Sequence, residues 1–248
     1  MSGAIISHRG GSFLWPENTL LAFSNTYAMP VEQVECDVHL TADGEPVVIH
    51  DALADRTTDG RGPVAAMTAS EVARLRIRGA GHLGVPSLAA VAALFARGRM
   101  LLRVEIKPDA TGRPYPEIVP RVLSVLAAAG MLERSLIIAF DAPTVAAAWR
   151  AGGLAGAAWL VEPATLRGLG AAGVAAVALA HGLPAAETGI AAADPAYVAA
   201  MRAAGLGCGV WGANHADTID RALALGLDAF ATDDPALALG RRALVGQV

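Results

Sequence analysis

The sequence predicts an α/β fold, a closed (β/α)8 barrel with one insertion after its second strand. Three observations predict it. Short β-type runs alternate with Ala- and Leu-rich helical runs along most of the chain, the pattern of a parallel sheet with crossover helices. Eight such strand runs remain once one hairpin is set aside. The chain has 248 residues, and a barrel of this kind takes roughly 250.

The first strand, Ala4–Ser7, runs into Ser7-His8-Arg9-Gly10-Gly11. The second, Gln33–Val38, is followed after seven residues by another strand-like run, Pro46–His50. A parallel connection needs roughly a dozen residues or more, so Asp43-Gly44 must turn a hairpin and Pro46–His50 is an antiparallel excursion. Residues from about 39 to 85 then form an insertion ahead of the helix opened by Ser87, with Gly60-Arg61-Gly62-Pro63 as a loop inside it. The remaining barrel strands are expected at Met100–Ile106, Ser135–Phe140, Ala157–Val161, Val174–Leu179, Leu206–Trp211 and Asp228–Ala231. Helices fall between them at Leu88–Ala96, Ile118–Ala129, Pro143–Ala151, Pro195–Ala204 and Ala216–Leu225. Gly130, Gly205 and Gly226 stand where helix C-caps belong. No linker or low-complexity tract divides the chain, so residues 1–248 are expected to form one barrel domain. A doubly wound open sheet is the structural alternative.

Hydrophobic residues make up 54% of the chain and charged residues 17%, enough to bury a large core and to exclude disorder. A net charge of −4 offers no broad cationic surface for nucleic acid or anionic lipid, so any bound anion must be met by a few local cations. Cys36 and Cys208 lie far apart and make no metal-ligand spacing; a reducing compartment and small, buried thiols are expected. The N-terminus lacks the basic start and apolar core of a secretory signal. Apolar stretches are broken by Gly, Arg or Pro before roughly 18 residues, so no membrane insertion is expected. The chain reads as soluble and cytoplasmic, with its oligomeric state open.

Polar residues gather where the strands end, the catalytic face of a barrel. Glu35 and Asp37 are two apart on a strand, so they share a face while Cys36 points away. Two carboxylates side by side inside a barrel repel and lose hydration, and a divalent cation relieves both penalties. Glu105, on the next barrel strand, adds a third oxygen. An all-carboxylate set suits Mg²⁺ or Ca²⁺ better than Zn²⁺. A salt bridge to a barrel Arg or Lys is the plain alternative for either acid. His8 and His50 have the right chemistry to exchange protons near neutral pH, and Arg9 and Lys107 can hold phosphate oxygens. Any one of these residues alone reads as packing or surface charge.

Together they resemble a known family. His8-Arg9-Gly10, Pro16-Glu17-Asn18-Thr19, Glu35-Cys36-Asp37-Val38, Leu40-Thr41-Ala42-Asp43-Gly44, Pro46-Val47-Val48-Ile49-His50-Asp51 and Glu105-Ile106-Lys107-Pro108 resemble the glycerophosphodiester phosphodiesterases in order and spacing. Trp211 with Asn214, and Thr232-Asp233-Asp234-Pro235, match that family's C-terminal signature. The resemblance covers almost the whole chain, most densely residues 5–59. It implies a TIM-type barrel that hydrolyses small-molecule glycerophosphodiesters to sn-glycerol 3-phosphate and an alcohol such as choline, ethanolamine or glycerol. It also implies His8 and His50 as the acid–base pair, Glu35, Asp37 and Glu105 as ligands of Mg²⁺ or Ca²⁺, and Arg9 and Lys107 on the phosphate. Glu17 and Asn18 would brace the site or contact substrate hydroxyls.

The chain departs from the family at Trp211-Gly212-Ala213-Asn214, where the usual pattern is W-T-V-N, and at Ala139-Phe140, where a Ser-Phe pair is usual. Both lie toward the substrate, where Trp211 and Phe140 are candidates for an apolar wall against the alcohol; core packing is the alternative. His39 shares parity with Glu35 and Asp37, and His181, placed after the sixth strand, could reach substrate or serve in a loop. His82 and His215 read as surface or loop residues, and Trp15 as a cap or rim. A related barrel acting on lysophospholipids or sphingomyelin is one rival reading. A non-catalytic barrel binding a phosphorylated ligand is another, and would be expected to have lost a histidine or a carboxylate.

Overall fold

The computed structural model describes residues 3–246. Strand β1 (Ala4–Ser7) is followed by β2 (Gln33–Leu40) and the short β3 (Pro46–Val48). Then come β4 (Leu101–Ile106), β5 (Ser135–Ala139), β6 (Gly156–Val161), β7 (Ala185–Gly189), β8 (Gly207–Trp211) and β9 (Ala229–Thr232). All but β3 pair in parallel around a closed ring, with β9 returning to β1 and β1 to β2. This is a (β/α)8 barrel, so the open-sheet alternative is excluded by the closing pairs.

β3 lies outside the ring for a local reason. β1 pairs with β2 only through Ile6 with Gln33 and Ser7 with Val34, leaving the far half of that β2 edge open. The hairpin folds β3 antiparallel onto it, pairing Val38 with Val48 and Leu40 with Pro46. The N–H of Ile49 then donates to the Asp37 carbonyl at 3.1 Å. His50 is thereby carried back beside the acidic pair of β2. The short β1–β2 seam is reinforced elsewhere: the Glu32 carboxylate accepts the Ile5 N–H at 2.9 Å and an ion pair from Arg242 at 2.9 Å.

The crossover helices begin where the sequence supplies caps. Thr19 opens α1 (Leu20–Tyr27), while the short α2 (Ala69–Val72), inside the insertion, starts from a Thr68–Glu71 capping box. Ser87 opens α3 (Leu88–Phe95), and α4 (Ile118–Ala128) follows β4. Asp141 opens α5 (Ala142–Ala151), which precedes α6 (Pro163–Ala180). Asp194 caps α7 (Pro195–Ala203), α8 (Ala216–Ala224) follows, and Asp234 caps α9 (Pro235–Val245). Each capping side chain accepts one backbone N–H that the helix itself leaves unpaired, worth about 1 kcal/mol.

Strand alternation divides the core in two. Val34, Cys36, Val38 and Leu40 of β2 join the large cluster between sheet and helices. Their neighbours Glu35, Asp37 and His39 turn into the barrel, buried despite their polarity. The inner apolar layers are small: Ile6 with Ala229 and Ala231, and Ile138 with Ala158 and Leu160. Cys36 and Cys208 are buried free thiols in the outer layer, as their sequence context suggests.

The expected strand at Val174–Leu179 is helical. It lies in α6, and the sheet position belongs to β7. Short apolar runs fit either period, and this one continues an alanine-rich stretch of high helix propensity. β7 reads Ala-Ala-Glu-Thr-Gly and has little strand propensity of its own, but it is paired on both sides by β6 and β8. The correction also moves His181. It ends α6 and precedes β7, which puts it at the barrel end opposite the strand C-termini, away from any substrate there. By length and composition alone, the 18-residue α6 could cross a membrane. Here it is a barrel crossover, kinked at Gly170 with φ 68°.

Candidate functional site

Register builds the acidic centre. Asp37 on β2 lies level with Glu105 on β4, and Glu35 level with Arg103, all facing the barrel interior. One oxygen from each of Glu35, Asp37 and Glu105 falls within 4.8 Å of the others. Glu35 and Asp37 are 2% and 0% exposed, so water does little to separate their charges. Burial, and then the Asp37 charge, pushes the Glu35 carboxyl up to about 8. Burial acts on Asp37 in the same sense, but Lys107 and Arg9 outweigh it and hold Asp37 well below the usual carboxylate range. Glu105 is raised by burial, with Lys107 offsetting part of the effect.

Two of these oxygens, Glu35 Oε1 and Asp37 Oδ1, are buried without a hydrogen-bond partner among the described residues. Leaving a buried charged acceptor unsatisfied costs upwards of about 1–3 kcal/mol. A hard divalent cation fits this all-oxygen donor set and would satisfy both atoms. The salt-bridge alternative is also part of the picture. Lys107 Nζ lies 2.7 Å from Glu105 and 3.4 Å from Asp37, and Arg9 Nε lies 3.3 Å from Asp37. Among the described residues Glu35 has no Arg or Lys side chain in such a pair; it accepts the backbone N–H of Arg9 at 2.9 Å and lies 3.8 Å from His8.

Backbone geometry aims the first loop inward. Arg9 has φ 50° and Asn18 φ 57°, left-handed values that are uncommon outside glycine. Gly10 follows at φ 78°, and a Cβ there would stand 2.8 Å from the Ala22 side chain. The sharp turn brings the Arg9 N–H onto Glu35 and the Arg9 side chain onto Asp37. Asn18 donates to Asp37 Oδ2 at 2.8 Å, and Glu17 meets Arg9 at 3.3 Å.

Each histidine has its own carboxylate. His8 Nδ1 is 2.6 Å from Asp233 Oδ1, and His50 Nδ1 is 2.6 Å from Asp51 Oδ1. Burial works against the charged form of His8, but the Asp233 hydrogen bond and the Glu35 charge prevail and raise its pKa. Asp233 is itself fixed by Asn214, whose amide donates to Oδ2 at 2.5 Å and whose carbonyl accepts the Asp233 N–H at 2.9 Å. Across the site, His50 Nε2 is 3.1 Å from Lys107 Nζ.

These groups line one cavity of about 590 Å³ at the C-terminal ends of the strands. His8, Arg9, Glu35, His50, Glu105, Lys107, Phe140 and Trp211 reach it directly. Asp37, Glu17 and Asn18 stand behind them. His39 does not enter: it is held by Tyr115 Oη at 2.9 Å and by the His50 carbonyl at 3.0 Å, bracing the His50 backbone. Phe140 and Trp211 meet edge to face, with ring centroids 6.1 Å apart. His215 opens α8 at the surface beside Phe13. Trp15 packs over Gly11, outside the cavity lining.

Sequence reasoning missed Asp233 and Asp51 as partners of the histidines. The His50-Asp51 adjacency carried a signal. So did the doublet after β9, where Asp233 turns to His8 and Asp234 caps α9 through the Leu237 N–H at 2.8 Å. Arg103 and Glu187 were missed as well: a buried pair at 2.5 Å, also lining the cavity.

The model of the glycerophosphoryl diester phosphodiesterase family matches residues 8–237. A glycerophosphodiester phosphodiesterase of Caldanaerobacter subterraneus subsp. tengcongensis is 35% identical over 147 residues, 57% of this chain and 59% of the relative. Human glycerophosphodiester phosphodiesterase 1 is 44% identical over 70 residues, 28% of this chain and 21% of that protein. The chain therefore spans no more than 59% of either curated relative. A solved structure from Agrobacterium tumefaciens that carries the same family name superposes with a TM-score of 0.96 at 36% identity, covering 100% of both chains. An Oleispira antarctica phosphodiesterase, solved with the product sn-glycerol-3-phosphate, shares the fold at TM-score 0.83 and 23% identity, over 98% of this chain and 97% of that one. On the family match and the shared barrel, this chain belongs to the glycerophosphoryl diester phosphodiesterase family.

Proposed function

We propose that the protein is a metal-dependent phosphodiesterase that hydrolyses glycerophosphodiesters to sn-glycerol 3-phosphate and an alcohol. The observation that carries this reading is the pairing His8–Asp233 and His50–Asp51 on one cavity that is lined by two cations and backed by three clustered carboxylates. Phosphodiester hydrolysis needs a group to take the nucleophile's proton, another to protonate the departing alkoxide, and positive charge on the phosphoryl oxygens.

Glu35, Asp37 and Glu105 would hold Mg²⁺ or Ca²⁺. When bound, such an ion supplies Lewis acidity toward a phosphoryl oxygen. The rest is the work of the chain's own side chains. His50 gives its Nδ1–H to Asp51, which leaves the Nε2 lone pair turned to the cavity, 3.1 Å from Lys107 Nζ. We assign it the role of base. His8 sits between Asp233 and Glu35, two anions that favour its charged form, and serves as the acid toward the leaving oxygen. Arg9 and Lys107 bind the phosphoryl oxygens, while Glu17 and Asn18 hold Arg9 and Asp37 in place. Phe140 and Trp211 face the alcohol. The nucleophile is water or the substrate's own glycerol 2-hydroxyl.

A second reading, turnover of lysophospholipids, draws on Phe13, Leu14 and Leu53, apolar side chains exposed on segments that follow β1 and β3. Choline release from glycerophosphocholine measured against lysophosphatidylcholine separates the two. The free thiols of Cys36 and Cys208 support a reducing, cytoplasmic setting.

The test is a metal-supplemented assay with sn-glycerol 3-phosphate detected as product. His8→Ala and His50→Ala each lower kcat by about 10²–10⁴-fold while the melting transition is retained. Near-normal turnover in either purified variant would refute the assignment.

A further inference from the structure

The cavity has an end that the reaction's charged groups do not occupy. His8, Arg9, Glu35, His50, Glu105 and Lys107 all come from β1, β2, β3, β4 or the residues just after them. Opposite them, on β5, β6 and β8 or just after them, the lining includes Ile138, Phe140, Leu160, Glu162 and Trp211. The Phe140 and Trp211 rings meet at 69°, forming an aromatic corner. Gly189 leaves room for it: a Cβ there would stand 3.2 Å from the Trp211 ring and 3.4 Å from Pro163. Glu162, just before Pro163, is exposed and lines the cavity together with Phe140 and Trp211.

Glu162 differs from the other acids of the cavity. Its side chain does not cap α6, and it makes no ion pair among the described residues. Glu187, also toward this side, is taken by Arg103. The aromatic end thus combines π faces, apolar walls and one uncompensated negative charge. Organic ammonium groups are recognised by that combination. A neutral polyol would find few hydrogen-bond partners on Ile138, Leu160 and Phe140, and an anionic alcohol would be repelled by Glu162.

We propose that this end is a subsite for an alcohol carrying an ammonium group, with Glu162 and the Phe140–Trp211 corner as its specificity-determining residues. The proposal rests on the phosphodiesterase reading for its substrate class, but the subsite can be tested apart from turnover. Two experiments do so. In the first, kcat/KM is compared for glycerophosphocholine and glycerophosphoglycerol, which differ in the charge of the alcohol. The wild-type protein favours the choline diester by about tenfold, and Glu162→Gln and Trp211→Leu each shrink that ratio, mainly through KM. In the second, choline and its neutral isostere 3,3-dimethylbutanol are titrated by NMR. Choline binds about tenfold more tightly, and Glu162→Gln removes the difference.

A ratio near one in both experiments overturns the subsite and leaves the phosphodiesterase reading standing. A preference that survives in both variants also overturns it. If neither diester is cleaved while choline still outcompetes its isostere in a Glu162-dependent way, the subsite stands and the phosphodiesterase reading falls.

Discussion

Arg56, a half-exposed residue of the insertion, holds two carboxylates at once. Its Nε donates to Asp51 at 2.6 Å and its Nη2 to Glu17 at 2.7 Å. Asp51 in turn buttresses His50 and Glu17 meets Arg9, so one side chain ties together residues on both sides of the cavity. The Arg56 hydrogen bond, opposed by burial and assisted by His50, depresses the Asp51 carboxyl to about 2. A depressed carboxyl stabilises the folded state above its unfolded pKa of about 3.9, and that contribution is lost as pH falls toward about 2. With Arg56 47% exposed, solvent screening limits it to about 1 kcal/mol or less. Arg56→Ala is therefore expected to move the Asp51 pKa up toward the ordinary range in a carboxyl NMR titration. It should also lower kcat about ten- to a hundredfold by loosening His50 and Arg9, with little change in melting temperature. An unmoved Asp51 midpoint would exclude Arg56 as the cause. At this scale the sequence is legible where geometry is local. The parity of Glu35 and Asp37 on one strand gave their shared face directly. The contact of His8 with Asp233 spans 225 positions and could only be inferred once the barrel had closed.

Elements meet inside the barrel through Arg103 on β4 and Glu187 on β7. Both are nearly inaccessible, at 2% and 6% exposed, and Gln33 on β2 shares the guanidinium at 3.3 Å. Gly209 on β8 makes room for the acid, since a Cβ there would stand 3.0 Å from the Glu187 carboxylate. Breaking such a pair strands a charge in the interior, whereas replacing both partners with apolar groups removes the problem. Glu187→Ala is expected to cost about 3–5 kcal/mol in urea unfolding. The double substitution Arg103→Met with Glu187→Leu should recover most of that loss. Equal destabilisation by single and double variants would show that the pair matters for something other than charge compensation. The same contact explains why β7 was not legible. Its sequence carries a charge on a buried strand, and what makes that tolerable is supplied by β4 and β8, distant in sequence. The β2–β3 hairpin, by contrast, followed from a connection too short to be parallel.

At the scale of the whole molecule, strand closure forces together carboxylates that the unfolded chain keeps apart. Glu35 and Asp37 come from one strand and Glu105 from another, and the folded barrel gathers them within 4.8 Å. The unfolded chain offers no comparable site, so an ion that binds the cluster stabilises the fold by mass action, about 2.7 kcal/mol at a hundredfold excess over Kd. For a chain of this size that corresponds to a rise in melting temperature of about 5–10 °C. Calorimetry with graded Mg²⁺ or Ca²⁺ against EDTA should show this dependence on concentration, whether or not a substrate is known. Glu35→Gln supplies the control. Burial beside Asp37 raises the Glu35 carboxyl and so costs the fold stability, a cost that a neutral amide avoids, so the variant should melt above the wild-type protein in EDTA and respond less to either ion. Wild-type melting that ignores both ions, or a variant that responds as strongly, would mean that Lys107 and Arg9 already neutralise the cluster and that the barrel needs no metal there.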